Sequence, residues 1–325
     1  DGIYGYRMLS AARLFQEYVR NVEGKKDIGT PDGIVGGNTY KHIDRWKAEG
    51  IKADWTEISM EKPSDEYMKW INFLNKVQAK YSFKPTPILE MVNAYQGKSD
   101  TLKVADWDFH PQYIHLIGIR RQEWVQTGKR ANDDIFILLI NGMVFKFYGS
   151  TDPSQNMSSR PDEPFLVHGQ HNYGFGWHKV GDQKKSYRAF RPAEHGVLVF
   201  RDLNNDNALT ESDLTKMTPN NSINVHWTGH GTSVWSAGCQ VICGKDYINH
   251  RDEKIDCSDY SSPGYQGLGP KTKGAYNVIS DIISLFADSE THAARYTLLY
   301  EEDLAVDPLI GKDYAKNLLD RLMND

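Results

Sequence analysis

The chain has 325 residues, a length that predicts two or three domains with ordinary hydrophobic cores. Charged residues make up 25% of the chain and the net charge is -5, which gives no reason to expect a nucleic-acid partner. No run of about 18 apolar residues occurs, so we expect no membrane-spanning helix. The start at Asp1, without a secretory signal, is typical of a processed chain.

The chain has three cysteines, Cys239, Cys243 and Cys257, which are too few for a disulfide scaffold. Either Cys243 and Cys257 form a disulfide that leaves Cys239 free, or all three are reduced thiols. The sequence decides neither this point nor the oligomeric state.

The N-terminal part contains an internal repeat. Asp-Gly-Ile-x-Gly begins at Asp1 and again at Asp32, and a helical pattern follows each copy. Asp and Gly favour a tight turn, and Thr39 is predicted as the N-cap of the second helix. Each helix is predicted to have one apolar face, formed by Met8, Leu9, Ala12, Leu14 and Phe15 in the first copy and by Tyr40, Ile43 and Trp46 in the second.

Residues 51–125 are predicted to form a helical spacer or connector. An amphipathic helix follows Ser64, its predicted cap, with inward-facing Tyr67, Trp70, Ile71, Phe73, Leu74 and Val77. A second helix is predicted through PILEMVNAYQ, before a connector and a strand.

Strands predominate from Asp133 onwards. Two β-rich runs flank Asn141-Gly142, the best two-residue turn pair for a hairpin. Short strands follow, and AYNVISDIISLFADS and DYAKNLLDRLM are predicted as helices. The predicted fold class is therefore α+β, with a small N-terminal helical repeat domain and a mostly β domain with C-terminal helices.

The segment NVHWTGHGTSVWSAGCQVICG, from Asn224 to Gly244, contains the groups that a cysteine nucleophile needs. A nucleophilic thiol requires a nearby base and backbone N–H groups for the oxyanion. His226 ends a strand and is predicted to face Cys239 across a short hairpin-like excursion. Gly238 and Cys239 supply the candidate oxyanion donors, because small residues let a substrate carbonyl approach closely.

HWTG…SAGCQVI resembles the HxxG…SxGC signature of the L,D-transpeptidase (YkuD-like) catalytic domain. The resemblance covers about residues 126–260 and implies a catalytic domain at residues 126–325. The Asp-Gly repeat of residues 1–50 resembles a peptidoglycan-binding module of cell-wall hydrolases. The resemblance implies Cys239 as nucleophile, His226 as base and the Trp227 carbonyl as the group that orients the imidazole. It implies an oxyanion donor at Gly238 and a substrate groove that includes Tyr173, His178, Tyr187, Arg188, Gly229, Ser236 and Gln240.

The resemblance implies a peptidoglycan L,D-peptidase of the bacterial envelope or a secreted one, either a carboxypeptidase or an endopeptidase. An L,D-transpeptidase that forms cross-links is the alternative, and a non-catalytic peptidoglycan-binding adaptor is the alternative of another class. Three departures favour hydrolysis. The segment between His226 and Cys239 is short, Ala237 replaces the usual histidine, and Gln240 and Val241 stand where the family has other residue types.

Histidines allow a second interpretation, zinc-dependent hydrolysis. His168 and His171, His178, and His226 and His230 supply many imidazoles, and zinc peptidases use three protein ligands with a carboxylate base. No HExxH motif occurs, so thiol chemistry that requires no cofactor is the preferred hypothesis.

The segment RDLNNDNALTESD fits the spacing of a calcium-binding loop. Asp202, Asn204, Asp206 and Asp213 fall at positions 1, 3, 5 and 12 of such a loop. Asp213 replaces the usual bidentate glutamate, so the pattern predicts either a structural Ca²⁺ site or an Asx-rich surface turn.

Overall fold

Helices and strands occupy different parts of the chain. The computed structural model describes residues 5–53, 55, 58–121, 131–153, 163–204, 210–229 and 236–324. Its α-helices are α1 (Tyr6–Glu17), α2 (Gly37–Glu49), α3 (Asp65–Phe83), α4 (Pro87–Ala94), α5 (Ala275–Phe286) and α6 (Tyr314–Met323). Its strands are β1 (His115–Arg120), β2 (Asp134–Ile140), β3 (Met143–Ser150), β4 (Pro164–Leu166), β5 (Gly169–His178), β6 (Tyr187–Pro192), β7 (Val197–Arg201), β8 (Thr218–Asn220), β9 (Val225–Trp227), β10 (Gln240–Ile248), β11 (Lys254–Asp256), β12 (Ser261–Ser262), β13 (Thr272–Lys273) and β14 (Ala294–Tyr300).

A nine-stranded sheet closes on itself into a barrel. Its strand order is β11-β10-β3-β2-β1-β14-β5-β6-β9, and β9 also pairs with β10. Eight strands therefore form the closed ring, with β11 attached to the far half of β10. Most neighbours are antiparallel, but β1 with β14 and β9 with β10 are parallel pairs. The α+β class is confirmed.

One hydrophobic core lies inside the ring. Alternate residues of a strand point to opposite faces, so each strand contributes every second side chain to this core. All eight ring strands do so, through Leu116, Phe136, Phe145, Tyr173, Phe190, Val225, Ile242 and Tyr296. Helix α5 packs against the same core with Ile279 and Ile283, and its first ten residues are buried.

A second core lies between the outer face of the barrel and helices α3 and α6. Ser64 caps α3 as predicted, since its hydroxyl accepts a hydrogen bond from the backbone N–H of Tyr67 at 3.2 Å. The predicted inner face of α3 is also confirmed, with Trp70 1% exposed and packed over the strands. Burying such a side chain contributes about 1.5–3 kcal/mol.

The predicted hairpin is confirmed. Asn141 and Gly142 have φ of 48° and 79° and join β2 to β3, the left-handed pair that such a two-residue turn needs. Both predicted C-terminal helices are present as α5 and α6. The three cysteines are free and buried, so the predicted alternative of a Cys243–Cys257 disulfide is wrong.

The predicted spacer contributes directly to the barrel. Strand β1 lies within residues 51–125, in the middle of the sheet between β2 and β14. Helix α3, from the same segment, covers the outer core. The predicted boundary between residues 125 and 126 therefore falls just after a central strand of the barrel. That strand, β1, pairs with β14 near the other end of the chain.

Helix α1 is joined to the barrel core by a buried ion pair. Arg13 donates from Nε and Nη2 to the two carboxylate oxygens of Asp281 on α5, each at 2.6 Å. Ser10 and Tyr260 donate to the same carboxylate at 2.8 and 2.6 Å. Leu14 packs into the inner core. The boundary predicted at residue 50 therefore does not separate α1 from the barrel.

The second Asp-Gly turn is held against α1 by Gln16. Its amide nitrogen donates to the Ile34 carbonyl at 2.9 Å, and its oxygen accepts from the Gly33 N–H at 2.7 Å. Gly33 has φ of +82°, and a side chain there would collide with Leu9. The first Asp-Gly turn lies outside the described residues.

Two predictions for the second repeat are wrong. Gly36, not Thr39, is the N-cap of α2, because the Thr39 hydroxyl is used inside the turn by Gln16. The predicted apolar face of α2 does not point inward, since Tyr40 and Ile43 are 58% and 37% exposed. Helix α2 instead packs on α1 through Trp46, edge-on to Phe15.

A small three-stranded sheet, β4-β7-β8, lies beside the barrel and packs against α4. The predicted second helix is thereby confirmed as α4, which Thr86 caps. No helix of the described ranges has the length and apolar character that crossing a bilayer requires.

Candidate active site

The parallel pair β9 and β10 brings His226 and Cys239 together. His226 lies opposite Val241 in register, and Cys239 immediately precedes β10. Because the two strands are parallel, the chain between them crosses over rather than turning in a hairpin. The predicted hairpin-like excursion is therefore wrong, although its consequence, that the two side chains lie close together, holds. Residues 230–235 of this crossover lie outside the described residues.

Strand alternation places the site on the outer face of the barrel. Val225 and Phe190 point into the inner core, so the neighbouring His226 and, three residues from Phe190, Tyr187 point outward. His178 lies opposite Tyr187 in register and shares this face.

The backbone around Cys239 is fixed by two small residues. Gly238 has φ of +114°, and a Cβ there would lie 2.5 Å from the Pro164 carbonyl oxygen, so only glycine fits. Ser236 donates its hydroxyl to the carbonyl oxygen of Cys239 at 2.7 Å. Within the described residues, no acceptor pairs with the backbone N–H of Gly238 or Cys239. These two buried N–H groups are therefore the candidate oxyanion donors.

The His226 ring is oriented by a backbone carbonyl. Its Nδ1 lies 2.7 Å from the oxygen of Trp227, which accepts only, so Nδ1 carries the proton and Nε2 has a free lone pair. The Tyr187 hydroxyl donates to the same oxygen at 3.1 Å and lies 2.9 Å from Nδ1. This is the orientation that the resemblance implied for His226 and Trp227.

The thiol of Cys239 is paired with backbone groups. Its Sγ donates to the Ser222 carbonyl at 3.2 Å and accepts from the Asn224 N–H at 3.4 Å. The residue is 9% exposed, and burial raises the pKa of the thiol to about 11. Burial also lowers the pKa of the His226 imidazole to about 4. Both groups are therefore neutral around pH 7.

His178 is held by Asn224. The Asn224 amide nitrogen lies 3.1 Å from His178 Nδ1, and an amide nitrogen only donates, so the proton of His178 is on Nε2. Burial and the neighbouring His226 lower the pKa of His178 to about 2. The carboxamide oxygen of Asn224 is buried and has no partner among the described residues. Asn224 thus positions both His178 and Cys239.

Several predicted groove residues serve the fold instead. Tyr173 is 1% exposed and donates to the Ile223 carbonyl at 3.0 Å inside the barrel. The Gln240 side chain also points inward, where it accepts from Tyr296 at 2.9 Å. Gly229 accepts from the Gly244 N–H at 3.2 Å at the end of the parallel pair. Ser236 holds the turn before Cys239, because its hydroxyl donates to the Cys239 carbonyl.

Arg188 lies on the other face of β6 from the thiol. Its guanidinium stacks over Tyr6 and Phe175, 3.7 and 4.1 Å from the ring centroids, and pairs with Glu290 at 3.5 Å. Arg188 shares the inward face with Phe190, because the two residues are two apart on one strand. It is therefore not placed to bind a substrate at Cys239.

Sequence reasoning named Tyr187 as a groove residue but missed two residues at the site, Asn224 and Arg191. Tyr187 and Arg191 lie on the outer face of β6. Because alternate residues of a strand point to opposite faces, this period of two could have shown that Arg188 lies on the other face. Asn224 lies two residues before the base, and no local pattern marked it. The positions of all three residues depend on the register of the paired strands, which the sequence alone does not show.

Potential metal ligands come together once in the described ranges. Ligand atoms of His178, His226 and Cys239 lie within 4.8 Å of one another. The predicted zinc cluster of His168 and His171 is not part of this group, since both are buried and hydrogen-bonded elsewhere, to Thr86 and Thr101. His230 lies outside the described residues.

The predicted calcium loop is described only in part. Asp206 lies outside the described residues. Asp213 accepts backbone N–H bonds from Leu203 at 2.9 Å and Thr210 at 2.8 Å, and Asn204 pairs with Ser212. Asp202 is buried at the end of β7. The Asp213 carboxylate therefore accepts hydrogen bonds from backbone N–H groups of the loop itself. A bound calcium ion stays a prediction.

Comparison of this chain with known protein families, curated proteins and solved structures finds no match in any of the three.

Proposed function

We propose that this protein is a peptidoglycan L,D-peptidase whose nucleophile is Cys239. One observation carries the proposal. The sulfur of Cys239 and a ring nitrogen of His226 lie within 4.8 Å on one face of the barrel, with the imidazole oriented by the Trp227 carbonyl. This arrangement supplies the nucleophile, the base and the orienting group that thiol acyl transfer requires. The substrate class comes from the resemblance of HWTG…SAGCQVI to the L,D-transpeptidase signature.

Proton transfer from Cys239 to His226 starts the reaction in this proposal. The thiol is neutral in the free enzyme and donates to the Ser222 carbonyl. His226 has its Nε2 lone pair available, because Nδ1–H is held by Trp227. When the sulfur attacks the substrate carbonyl carbon and the C–S bond forms, Nε2 of His226 accepts the proton of the thiol, which is general-base catalysis.

Acyl transfer then proceeds through an oxyanion. The backbone N–H groups of Gly238 and Cys239 donate to it, since neither has an acceptor among the described residues. The C–N bond breaks, the leaving amine takes the proton from His226, and a thioester remains on Cys239. Water attacks the thioester with His226 again as base, which releases the acid and restores the thiol.

Peptidoglycan is the proposed partner, and the bacterial envelope or its exterior is the proposed location. The turn and helix of the second repeat expose Ile34 at 70%, Tyr40 at 58% and Ile43 at 37%. These exposed side chains are the candidate contacts for the polymer. Binding the polymer there raises the local concentration of stem peptides at the barrel.

Mass spectrometry of muropeptides tests the proposal. Purified peptidoglycan is digested with the native protein, with Cys239→Ala and, as a matched control four residues further along the chain, with Cys243→Ala. We expect the native protein and Cys243→Ala to release an amino acid or split cross-links, and Cys239→Ala to release nothing. Product formation by Cys239→Ala contradicts the proposed nucleophile.

The same digests, together with cosedimentation and a chelator control, separate the alternatives. New cross-linked products from tetrapeptide-bearing muropeptides, without free products, support an L,D-transpeptidase. Cosedimentation with peptidoglycan without any change in the muropeptides supports a non-catalytic adaptor. Loss of product formation on adding a chelator supports a metal-dependent enzyme at the His178, His226 and Cys239 cluster.

A further inference from the structure

Arg191 lies on the same face as the candidate nucleophile and leans toward it. It occupies the outer face of β6 with Tyr187, opposite Gly174 in register. A Cβ at Gly176 would lie 2.7 Å from the Cδ of Arg191, so the arginine stem crosses over that glycine. Gly176 is two residues closer to His178 than Gly174 is. The side chain of Arg191 therefore runs along the sheet in the direction of His178.

The guanidinium of Arg191 is held one residue from the group that binds the thiol. Its Nη2 donates to the Asn221 carbonyl at 3.2 Å, and the next carbonyl, that of Ser222, accepts from Cys239 Sγ at 3.2 Å. Burial raises the pKa of Cys239 and lowers that of His178, and the positive charge of Arg191 opposes the first shift and adds to the second. Arg191 and Cys239 thus donate to two consecutive backbone carbonyls, those of Asn221 and Ser222.

Most of the hydrogen-bonding capacity of Arg191 is unused. Arg188, on the other face of the same strand, has a carboxylate partner in Glu290, but no carboxylate in the described residues pairs with Arg191. A guanidinium presents five N–H donors in a planar fork that matches a carboxylate. A partly exposed arginine without an acidic partner, beside a nucleophile, is suited to an anionic group of the substrate.

We infer that Arg191 binds a carboxylate of the substrate, so that the enzyme selects peptides with a free carboxylate beside the bond that it cleaves. The inference rests on the proposed function and names its substrate class. Two sources share this chemistry: the C-terminal carboxylate of the leaving residue, and a side-chain carboxylate on the residue that is acylated onto Cys239. The experiment distinguishes them.

Alkylation tests the anion site without any peptide substrate. The rate at Cys239 is measured with iodoacetate, an anion, and with neutral iodoacetamide, and the ratio of the two rates is compared among variants. We expect Arg191→Gln to lower this ratio about threefold or more, because a nearby cation attracts the anionic reagent. Arg191→Lys keeps most of the ratio, and Lys184→Gln, an exposed control in the neighbouring turn, keeps all of it. An equal ratio in the native protein and Arg191→Gln overturns the inference.

Peptide hydrolysis assigns the carboxylate. Tetrapeptides are compared with the C-terminal carboxylate free or amidated, and with the side-chain carboxylate of the acyl-donor residue free or amidated. We expect Arg191→Gln to lower kcat/KM about 10-fold or more on the fully free peptide. The amidated form on which Arg191→Gln has no effect identifies the bound carboxylate. An equal loss on all forms overturns the inference.

The two arms separate this inference from the proposed function. If the alkylation ratio falls in Arg191→Gln but the native protein cleaves no peptide, the anion site stands and the peptidase function fails. If the native protein cleaves peptides but the ratio is unchanged, the peptidase function stands and the role of Arg191 fails.

Discussion

The imidazole of His226 is stacked on that of His178, with ring centroids 4.0 Å apart and planes 26° from parallel. Their hydrogen bonds require opposite tautomers. His226 is protonated at Nδ1 because Trp227 accepts there, and His178 is protonated at Nε2 because Asn224 donates to its Nδ1. One ring therefore offers a base at Nε2 and the other offers a donor, side by side.

Replacing His178 by Phe tests the donor. Phenylalanine preserves a ring in the stack but removes both ring nitrogens of His178, whose imidazole lies in the same cluster as the Cys239 sulfur. We expect kcat to fall about 100- to 1,000-fold, the range for loss of one donor to a developing charge, with the limb of the pH profile near 4 unchanged. The control is Phe in place of His195, an exposed histidine outside the site. An unchanged kcat in His178→Phe excludes a donor role for His178.

The pH dependence of alkylation at Cys239 distinguishes a neutral thiol from a thiolate–imidazolium pair. The pKa of Cys239 is raised to about 11, so the thiolate fraction grows with pH up to that value. We expect the iodoacetamide rate to rise about tenfold per pH unit between pH 7 and 10. A rate that is already constant above pH 5 indicates a preformed ion pair. Cys243 and Cys257 are more deeply buried, and burial raises the pKa of each further, so they label more slowly.

Catalysis has its acid limb at the pKa of the base. Burial lowers the pKa of His226 to about 4, and the imidazole accepts a proton only when it is neutral, above that value. We expect kcat/KM to fall as the pH drops through about 4 and to stay constant from pH 5 to 7. A limb near pH 6.5, the ordinary value for histidine, shows instead that His226 is solvated in the working enzyme.

Tyr187→Phe measures the support that the tyrosine gives to the base. The hydroxyl donates to the Trp227 carbonyl at 3.1 Å, and its loss leaves the bond between His226 and that carbonyl intact. We therefore expect kcat/KM to fall only about 3- to 10-fold, with stability reduced by about 1 kcal/mol. Steady-state kinetics and thermal unfolding measure both. A loss as large as that of Cys239→Ala makes Tyr187 part of the chemistry.

Local signals predicted local structure well. The turn at Asn141-Gly142, the Ser64 cap and the periodicity of α5 and α6 each lie within a few residues, and each element formed where predicted. The pair of His226 and Cys239 was also accessible, because a short motif contains both.

Pairings between distant segments were not predictable from these signals. Strand β1 pairs with β14, and the hydrogen bonds that join them leave no trace in either sequence. The same reason explains why Arg188 was predicted at the site and Arg191 was missed. Three residues along a strand reverse the face, and only the register shows which face holds the thiol. His178 was predicted as a groove residue because it lies on a strand just before the motif, where the resembled domains hold the substrate peptide.

Breaking the Arg13–Asp281 pair tests whether the N-terminal repeat is part of the barrel fold. Both side chains are buried, and removal of either leaves an unpaired charge. We expect Arg13→Met to destabilise the whole protein by about 3–5 kcal/mol in one unfolding transition. Lys41→Met, which removes an exposed pair with Asp27, is the control and leaves stability nearly unchanged, because solvent screens exposed pairs. Two separate transitions in Arg13→Met show that residues 1–50 fold independently.

Glu17 makes the stability of the protein depend on pH. Its carboxyl is buried, accepts a hydrogen bond from Tyr247 at 2.8 Å, and has its pKa raised to about 7 by burial. A group whose pKa is raised on folding stabilises the folded state fully below its unfolded value, about 4.5, and the contribution is lost as the pH rises through 7. We therefore expect the native protein to lose up to about 3 kcal/mol between pH 4.5 and 8 at this residue. Glu17→Gln keeps an acceptor for Tyr247 without the charge, so its free energy of unfolding at pH 8 exceeds that of the native protein while the two agree near pH 4.5. Denaturant titrations at the two pH values measure this, and an equal pH dependence in both proteins shows that Glu17 stays solvated or protonated throughout.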